Sequence, residues 1–300
     1  MRRIAPAVVV VLIACSGGGE ATTTTTDLSS TTASTAPTTT TGTTSTTAST
    51  TTTSTAPDPG IPVVASRFGV MGWWDGDSWV PGDGSVEIPL VGGEQFRVVF
   101  LDEPITTATG SPPGICEPIG TPLLDFEPPL PGGSQEPGAV AVIADWDLRP
   151  YGVTLLAAVP DEHVDAVAQF LSDHGIDDDD PHIDQVVVTD IEGDGVAEVL
   201  IVANRLPDDL FAGPGDYSAV LLRKQIEGDW QTAVLEFSEA EEESPYILRH
   251  AVAAMVDLNN DARMEIVIDA FYYEGAGTVV YEYVNDDLGP QQAIGGGCGA

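Results

Sequence analysis

Two nine-residue stretches of this chain read DIEGDGVAE at positions 190–198 and DLNNDARME at positions 257–265. Both place oxygen-bearing side chains at positions 1, 3, 5 and 9, and they begin 67 residues apart (257 − 190 = 67). An apolar run rich in β-branched residues enters and leaves each stretch. We therefore predict that each stretch is a tight acidic loop between two β-strands.

The spacing of the oxygen-bearing side chains indicates a calcium site in each loop. Alternate positions of a tight loop can converge on one hard cation, and calcium selects carboxylate, amide and backbone carbonyl oxygens. An EF-hand is excluded because it needs flanking helices and a glutamate at position 12, which here is Ile201 or Ile268. The expected ligands, with a backbone carbonyl at position 7, are Asp190, Glu192, Asp194, Val196 and Glu198, and Asp257, Asn259, Asp261, Arg263 and Glu265.

The sixth position distinguishes the two loops. Gly195 permits a positive φ in the first loop, whereas the second has Ala262, for which a left-handed conformation costs on the order of 1–2 kcal/mol. A relaxed or metal-free second loop is therefore an open alternative. A tight acidic turn that keeps its shape without metal is an alternative for both loops.

A parallel series of strand patterns follows each loop. The first series has strands at 217–222 and 230–237 around a Gly228-Asp229 turn. The second has a strand at 278–283, a turn at Asn285-Asp286 and a short terminal run. Strand, acidic loop, strand, longer loop, strand, turn and strand make one four-stranded unit, and its recurrence predicts a repeat architecture.

On these residues, segments 188–202 and 255–268 resemble the FG-GAP or VCBS-type repeats of integrin-like β-propellers. The resemblance covers roughly residues 183 to 298. It implies that each loop lies between two strands of a blade and holds one calcium ion. Because a propeller needs at least four blades, we expect two open four-stranded repeats and not a complete propeller. The predicted fold class is a β-rich α+β protein with blade-like repeats at 183–300.

The beginning of the chain predicts export and a lipid anchor. Arg2 and Arg3 precede an apolar run at 8–13 that is too short to span a bilayer. The Leu-Ile-Ala-Cys sequence ending at Cys15 resembles a bacterial lipobox, so residues 1–14 are predicted to be a signal peptide and Cys15 the lipidated residue. An ordinary signal peptide with an accidental cysteine is the alternative. We expect the protein on the extracytoplasmic face of the cell membrane.

Residues 15–57 are predicted to form a disordered stalk. From position 21 this segment is almost wholly Thr, Ser, Ala and Pro, a composition that cannot bury a core.

An N-terminal β and α+β region is predicted at 58–182. An apolar stripe from Val164 to Leu171 follows Pro160-Asp161 and predicts a helix that ends before Gly175. Strands are expected at 139–144 and 153–159, hairpins within 68–100 with turns at Asp75-Gly76 and Asp83-Gly84, and a long ordered loop at 111–137.

The chain has three cysteines. If Cys15 is lipidated, Cys116 and Cys298 remain, and in an exported protein we expect them to form a disulfide. Two separate buried thiols are the alternative.

The net charge of the chain restricts its possible binding partners. The chain has 10 basic and 47 acidic residues, a formal net charge of −37, and Lys224 is its only lysine. Such a field repels nucleic acid and discourages self-association, so we expect a monomer without a nucleic-acid partner.

Motifs for catalysis are few. The chain lacks the Gly-x-Ser-x-Gly, Walker and His-Glu-x-x-His patterns. His182 and His250 precede the two loops, and we expect strand-edge residues and not catalytic bases. Trp73, Trp74 and Trp79 are either an aromatic platform for a sugar ring or core residues of a small β-unit.

The combined features predict a lipid-anchored, exported calcium-binding surface protein without catalytic residues. It would act as a binding or structural module at the cell envelope, with a cell-wall glycan or a protein as its ligand. The alternative is a glycan-directed cell-envelope hydrolase that uses calcium structurally, because two of the many carboxylates could converge for hydrolysis.

The anchor can be tested with Cys15→Ala. This change removes the acceptor thiol, so we expect the precursor to stay uncleaved or to be released without lipid, as measured by mass spectrometry of the membrane and soluble fractions. An acylated, membrane-bound variant would disprove the lipoprotein interpretation.

Overall fold

In the computed structural model, residues 61–299 are described except for 102, 118, 134, 208–211, 241–246 and 284–288. The predicted signal peptide, Cys15, the stalk and the Asn285-Asp286 turn lie outside the described residues. The strands are β1 (Val63–Ser66), β2 (Gly69–Trp74), β3 (Trp79–Pro81), β4 (Gln95–Val99), β5 (Thr106–Gly110), β6 (Gly114–Cys116), β7 (Thr121–Leu123), β8 (Phe126–Glu127), β9 (Val140–Val142), β10 (Thr154–Leu155), β11 (Ile183–Thr189), β12 (Glu198–Arg205), β13 (Tyr217–Ile226), β14 (Asp229–Glu239), β15 (Arg249–Val256), β16 (Glu265–Tyr272), β17 (Gly275–Glu282) and β18 (Gln291–Gly299), and the helix is α1 (Asp161–Asp173).

Each acidic loop joins the first two strands of an antiparallel meander. The first meander has the order β11-β12-β13-β14, with β10 added at its edge, and the second has the order β15-β16-β17-β18. The registers agree: Val199 pairs with Arg223, and Ile266, which lies 67 positions after Val199 (266 − 199 = 67), pairs with Tyr281. The structure is thus β-rich, with several antiparallel sheets.

The two meanders pack face to face through apolar side chains. Leu200, Val202 and Leu222 of the first meander share one buried core with Ile266 and Ile268 of the second. Burying apolar surface on this scale is the main favourable contribution to folding. Both central strands are covered on both faces, which explains why β12 and β16 are apolar along most of their length.

The outer faces of the meanders are also covered. Helix α1 packs Val167 and Leu171 onto the far face of the first meander, against Ile201 and Leu221. The far face of the second meander packs on a seven-stranded N-terminal sheet of order β3-β2-β1-β9-β4-β5-β8. The layers therefore run helix, first meander, second meander and N-terminal sheet, and the described residues between 61 and 299 make one compact unit.

The helix prediction is confirmed. Helix α1 covers Asp161–Asp173 and buries His163, Val167 and Leu171. Its C-terminus is a Schellman motif: Ile176 N–H donates to the Leu171 carbonyl at 2.9 Å and Gly175 N–H to the Ser172 carbonyl at 3.0 Å, with Gly175 at φ +82°. In the described residues, no helix is both long and apolar enough to cross a membrane.

The N-terminal strands follow the sequence prediction only in part. The Asp75-Gly76 turn connects β2 and β3 as expected. Asp75 Oδ1 stabilises this turn by accepting the N–H groups of Asp77 and Ser78. The expected hairpin at Asp83-Gly84 is wrong, since the next strand, β4, pairs with β5 and β9 instead. The strand expected at 153–159 is limited to β10, and the 111–137 loop contains the short strands β6, β7 and β8.

The disulfide prediction is confirmed. Cys116 and Cys298 are bonded, with their Cα atoms 5.9 Å apart, which lies inside the usual range for disulfides. The bond joins β6 of the N-terminal part to β18, the last strand. Strand β18 also passes close to β2: a Cβ atom on Gly296 would lie 3.0 Å from the Val70 carbonyl oxygen, so a side chain there would crowd the β2 backbone.

The contribution of the disulfide can be measured with Cys116→Ser/Cys298→Ser. The two cysteines are separated by 182 residues. In the chain-entropy model, opening a loop of this length lowers the free energy of unfolding by about 5 kcal/mol. Urea unfolding of the wild-type and variant chains would measure this loss, and an unchanged midpoint and slope would contradict it.

Candidate cation site

The first acidic loop is held by its first aspartate. Asp190 Oδ1 accepts the backbone N–H groups of Gly193 at 2.7 Å and Asp194 at 3.1 Å, and Oδ2 accepts that of Gly195 at 2.9 Å. Asp194, at position 5, accepts the N–H of the exposed Val196 at 2.7 Å. These bonds satisfy backbone donors that a tight turn would otherwise leave unpaired.

The second loop repeats three of these bonds and changes one. Asp257 accepts the N–H groups of Asn260 at 2.7 Å and Ala262 at 3.0 Å. Asp261 accepts the N–H of Arg263, a partly exposed residue, at 2.8 Å. Asn259, at position 3, accepts the N–H of Asp261 at 3.1 Å. The N–H groups of positions 4, 6 and 7 thus have the same acceptors in both loops, whereas the N–H of position 5 donates to position 1 in the first loop and to position 3 in the second.

Alanine does not relax the second loop. Ala262 has φ +65° and Gly195 has φ +86°, so both sixth positions are left-handed. The bond from Ala262 N–H to Asp257 offsets part of the steric cost of this conformation. Both loops therefore make the same left-handed turn at position 6.

A buried glutamate closes each loop at position 9. Glu198 is 0% exposed and Glu265 is 1% exposed. Glu198 Oε2 accepts the N–H of Ile191 at 2.9 Å, and Glu265 Oε2 accepts the N–H of Leu258 at 2.6 Å. Each loop therefore directs a carboxylate into the protein, where an ionised group needs compensation.

Burial raises the pKa of both glutamates. The pKa of Glu198 is raised to about 7 mainly by burial, and the Ile191 N–H opposes this rise. The pKa of Glu265 is raised well above its ordinary value, again mainly by burial, with a further rise from nearby acidic residues. Both sites would therefore be stabilised by a positive charge.

The two loops lie side by side. Met264 N–H, in the second loop, donates to the carbonyl of Ile191, in the first loop, at 2.9 Å. The contact between the two meanders therefore extends to the end of the sheets where the loops lie. The structure thus brings both sets of predicted ligands to the same end of the stacked sheets.

The side chains at position 3 have different partners in the two loops. Glu192 forms an ion pair with Lys224, and both side chains are largely buried. Asn259 instead donates to Glu282 Oε1 at 2.8 Å, and Glu282 Oε2 accepts the Trp79 indole N–H at 3.1 Å. The first loop therefore contains a basic side chain where the second contains an additional carboxylate.

Both loops offer the oxygen donors that calcium prefers, but not in a closed arrangement. Within the described residues, no three His, Cys, Asp or Glu side chains form a group that could hold a metal. The carboxylate groups of a loop would therefore have to move closer together to bind an ion. Each loop has four acidic side chains nearby, but those of the second, Asp257, Asp261, Glu265 and Glu282, have no lysine beside position 3 and therefore fit a hard cation better. In the first loop, the Lys224 ammonium already contacts the carboxylate at position 3.

His250 lies near the start of β15, an edge strand of its sheet, and is buried. Its Nδ1 lies 2.9 Å from Ser218 Oγ and its Nε2 lies 3.7 Å from Glu236 Oε2. A serine, a histidine and a carboxylate in this order resemble a hydrolase triad. However, Ser218 is 0% exposed and His250 is 1% exposed, so a substrate cannot reach them. Ser218 Oγ also accepts the backbone N–H of His250, which ties the two meanders together.

His182 and the tryptophans are placed differently. His182 is exposed and lies 2.9 Å from the Asp184 carboxylate. Trp73 is a buried core residue, whereas Trp74 and Trp79 are partly buried and meet edge to face at 5.2 Å. Core packing therefore accounts for Trp73, and the other two indoles do not form one flat surface.

No family model, curated protein or solved structure matches this chain.

The burial of His250 has a measurable pH dependence. Burial lowers its pKa to about 4, whereas the unfolded chain should have a value near 6.5. The unfolded state therefore binds this proton first, and stability falls as the pH is lowered from about 6.5 towards 4. The loss due to His250 is at most about 3 kcal/mol.

Urea unfolding of the wild-type chain and of His250→Gln at pH 7 and pH 4.5 would isolate this contribution. Glutamine does not titrate, so the wild-type chain should lose more stability between the two pH values than the variant. Equal losses would show that His250 is not buried as a neutral group.

Proposed function

We propose that this chain is a lipid-anchored, exported calcium-binding protein that acts as a binding or structural module at the cell envelope. The observation that carries the proposal is that the two loops share several structural features. Loops that begin 67 residues apart (257 − 190 = 67) share the bonds from the N–H groups of positions 4 and 6 to the first aspartate, a left-handed sixth position and a buried glutamate at position 9. A surface turn that is acidic by chance has no need of all these features.

We also propose that the two meanders are blades of the FG-GAP or VCBS type. Three features support this assignment: the strands follow in sequential order, the acidic loop joins the first two strands of each meander, and the two sheets pack face to face. The N-terminal seven-stranded sheet covers the face where a further blade would pack. The chain would thus use an unrelated sheet in place of the rest of a propeller.

The anchor and the compartment complete the proposal. Cys15 would carry the lipid, and the Thr-rich segment up to residue 57 would hold the folded part away from the membrane. The bond between Cys116 and Cys298 suits an oxidising compartment outside the cytoplasm. A cell-wall glycan or another envelope protein is the class of ligand that this location provides.

Calcium would act in this protein as a structural ion. In the second loop, Asp257, Asn259, Asp261 and Glu265 would hold it together with the carbonyl of Arg263 and the neighbouring Glu282. An ion that binds the folded state alone stabilises that state by mass action. It would fix the loop end of the second meander, which lies between the first meander and the N-terminal sheet.

Thermal unfolding of the purified chain tests the calcium proposal. Extracellular calcium modules bind with a Kd of about 0.1–1 mM, so 10 mM calcium should raise the melting temperature by about 3–10 °C. Magnesium at the same concentration measures the general screening of the large negative charge and should give a smaller rise.

Asp261→Asn removes a charge but keeps the oxygen that accepts the Arg263 N–H, so we expect most of the calcium-specific rise to disappear. Asp77→Asn, in the exposed turn between β2 and β3, is the matched control and should keep the full rise. The same melting temperature in calcium, magnesium and chelator would reduce both loops to metal-free turns.

A further inference from the structure

We infer that Lys224 is a built-in cation of the first loop, and that this lysine confines calcium to the second loop. The inference rests on the calcium proposal above but differs from it, because it assigns one ion to the chain where the paired loops alone would imply two. It follows from a comparison of equivalent positions in the two meanders.

Lys224 and Glu282 occupy equivalent positions. Val199 pairs with Arg223 in the first meander, and its counterpart Ile266 pairs with Tyr281 in the second. Lys224 is the residue after Arg223, and Glu282 is the residue after Tyr281. Each therefore lies beside the loop of its own meander, one strand away from the glutamate at position 9.

The contacts at these positions are complementary. In the first loop the position-3 residue is acidic and its partner is basic: Glu192 with Lys224. In the second loop the position-3 residue is an amide and its partner is acidic: Asn259 with Glu282. The same place in the fold thus holds an ammonium group in one meander and a carboxylate in the other.

The lysine is held inside the protein. The side chains of Lys224 and Glu192 are 10% and 6% exposed, and the ammonium lies 5.6 Å from the centre of the Tyr283 ring. Lys224 is the only lysine in a chain with 47 acidic residues, so the chain has no other lysine whose placement could explain this burial. A buried pair of this kind is strongly destabilised when one partner is removed.

The basic residues of the two loops are placed differently. The Lys224 side chain is 10% exposed and pairs with the carboxylate at position 3 of the first loop. Arg263, at position 7 of the second loop, is partly exposed. The first loop therefore contains a buried ammonium group beside position 3, where the second loop has the Asn259 amide beside Glu282.

A calcium ion and the Lys224 ammonium would compete for the same carboxylate. Both are cations, and at a few ångströms in a partly buried site their repulsion is strong. Calcium in the first loop would have to displace the lysine and leave it buried without a partner. The second loop has no such obstacle at Glu282, and an external cation would relieve the repulsion among its carboxylates.

Exchange of the two arrangements tests this inference. Glu192→Asn/Lys224→Glu copies the second loop into the first, and Asn259→Glu/Glu282→Lys copies the first loop into the second. Equilibrium dialysis of the purified full chain with radioactive calcium measures the number of ions bound, and circular dichroism in chelator checks that each variant is folded. We expect one ion for the wild-type chain, two for the first exchange and none for the second.

Two single substitutions assign the ion even if an exchanged variant does not fold. In the wild-type background, Asp261→Asn should abolish calcium binding and Asp194→Asn should retain one ion. Loss of the ion in Asp194→Asn and its retention in Asp261→Asn would overturn the inference. Two ions in the wild-type chain, one removed by each substitution, would also overturn it while leaving the calcium proposal intact.

The calcium proposal can fail separately. If the wild-type chain binds no calcium and Glu192→Asn/Lys224→Glu binds one ion, Lys224 is the built-in cation but the second loop is not a calcium site. If neither chain binds calcium, the inference fails with the proposal, because removing the lysine then creates no site.

Discussion

Two carboxylates buried at the loop end of the stacked sheets constrain the rest of this structure. Glu198 and Glu265 are almost fully inaccessible, and an ionised carboxylate in such a place must be matched by hydrogen-bond donors and positive charge. The N–H at the second position of each loop provides one donor. The aspartate-held turn keeps that N–H in place, and the packing of the two meanders fixes both loops side by side.

Local pattern was sufficient to predict the elements whose structure depends on near neighbours. The acidic loops, the helix with its glycine cap and the Asp75-Gly76 hairpin all follow from residues a few positions apart. The disulfide followed from counting cysteines in a chain predicted to be exported. Pairings between distant segments could not be predicted in this way: β9 joins β1 and β4 into one sheet, which removes the expected hairpin at Asp83-Gly84.

The candidate site shows the same division. Spacing predicted the aspartates and glutamates of both loops, but the contrast between Lys224 and Glu282 depends on cross-strand register, which spacing within a loop does not contain. The burial of His250 could not be predicted from local spacing either. Its burial results from the packing of one meander on the other, and a histidine near a strand end gives no local sign of it. Ala262 shows that hydrogen bonds to an aspartate can hold a left-handed turn without glycine.

Anomalous diffraction from crystals grown in calcium would test the central proposal directly, since it locates the ion instead of counting it. One anomalous peak among Asp257, Asp261 and Glu265, with none beside Glu192 and the Lys224–Glu192 pair intact, is the expected result. A peak in the first loop with Lys224 displaced, or no peak at either loop, would contradict the proposal that Lys224 occupies the first loop and calcium the second.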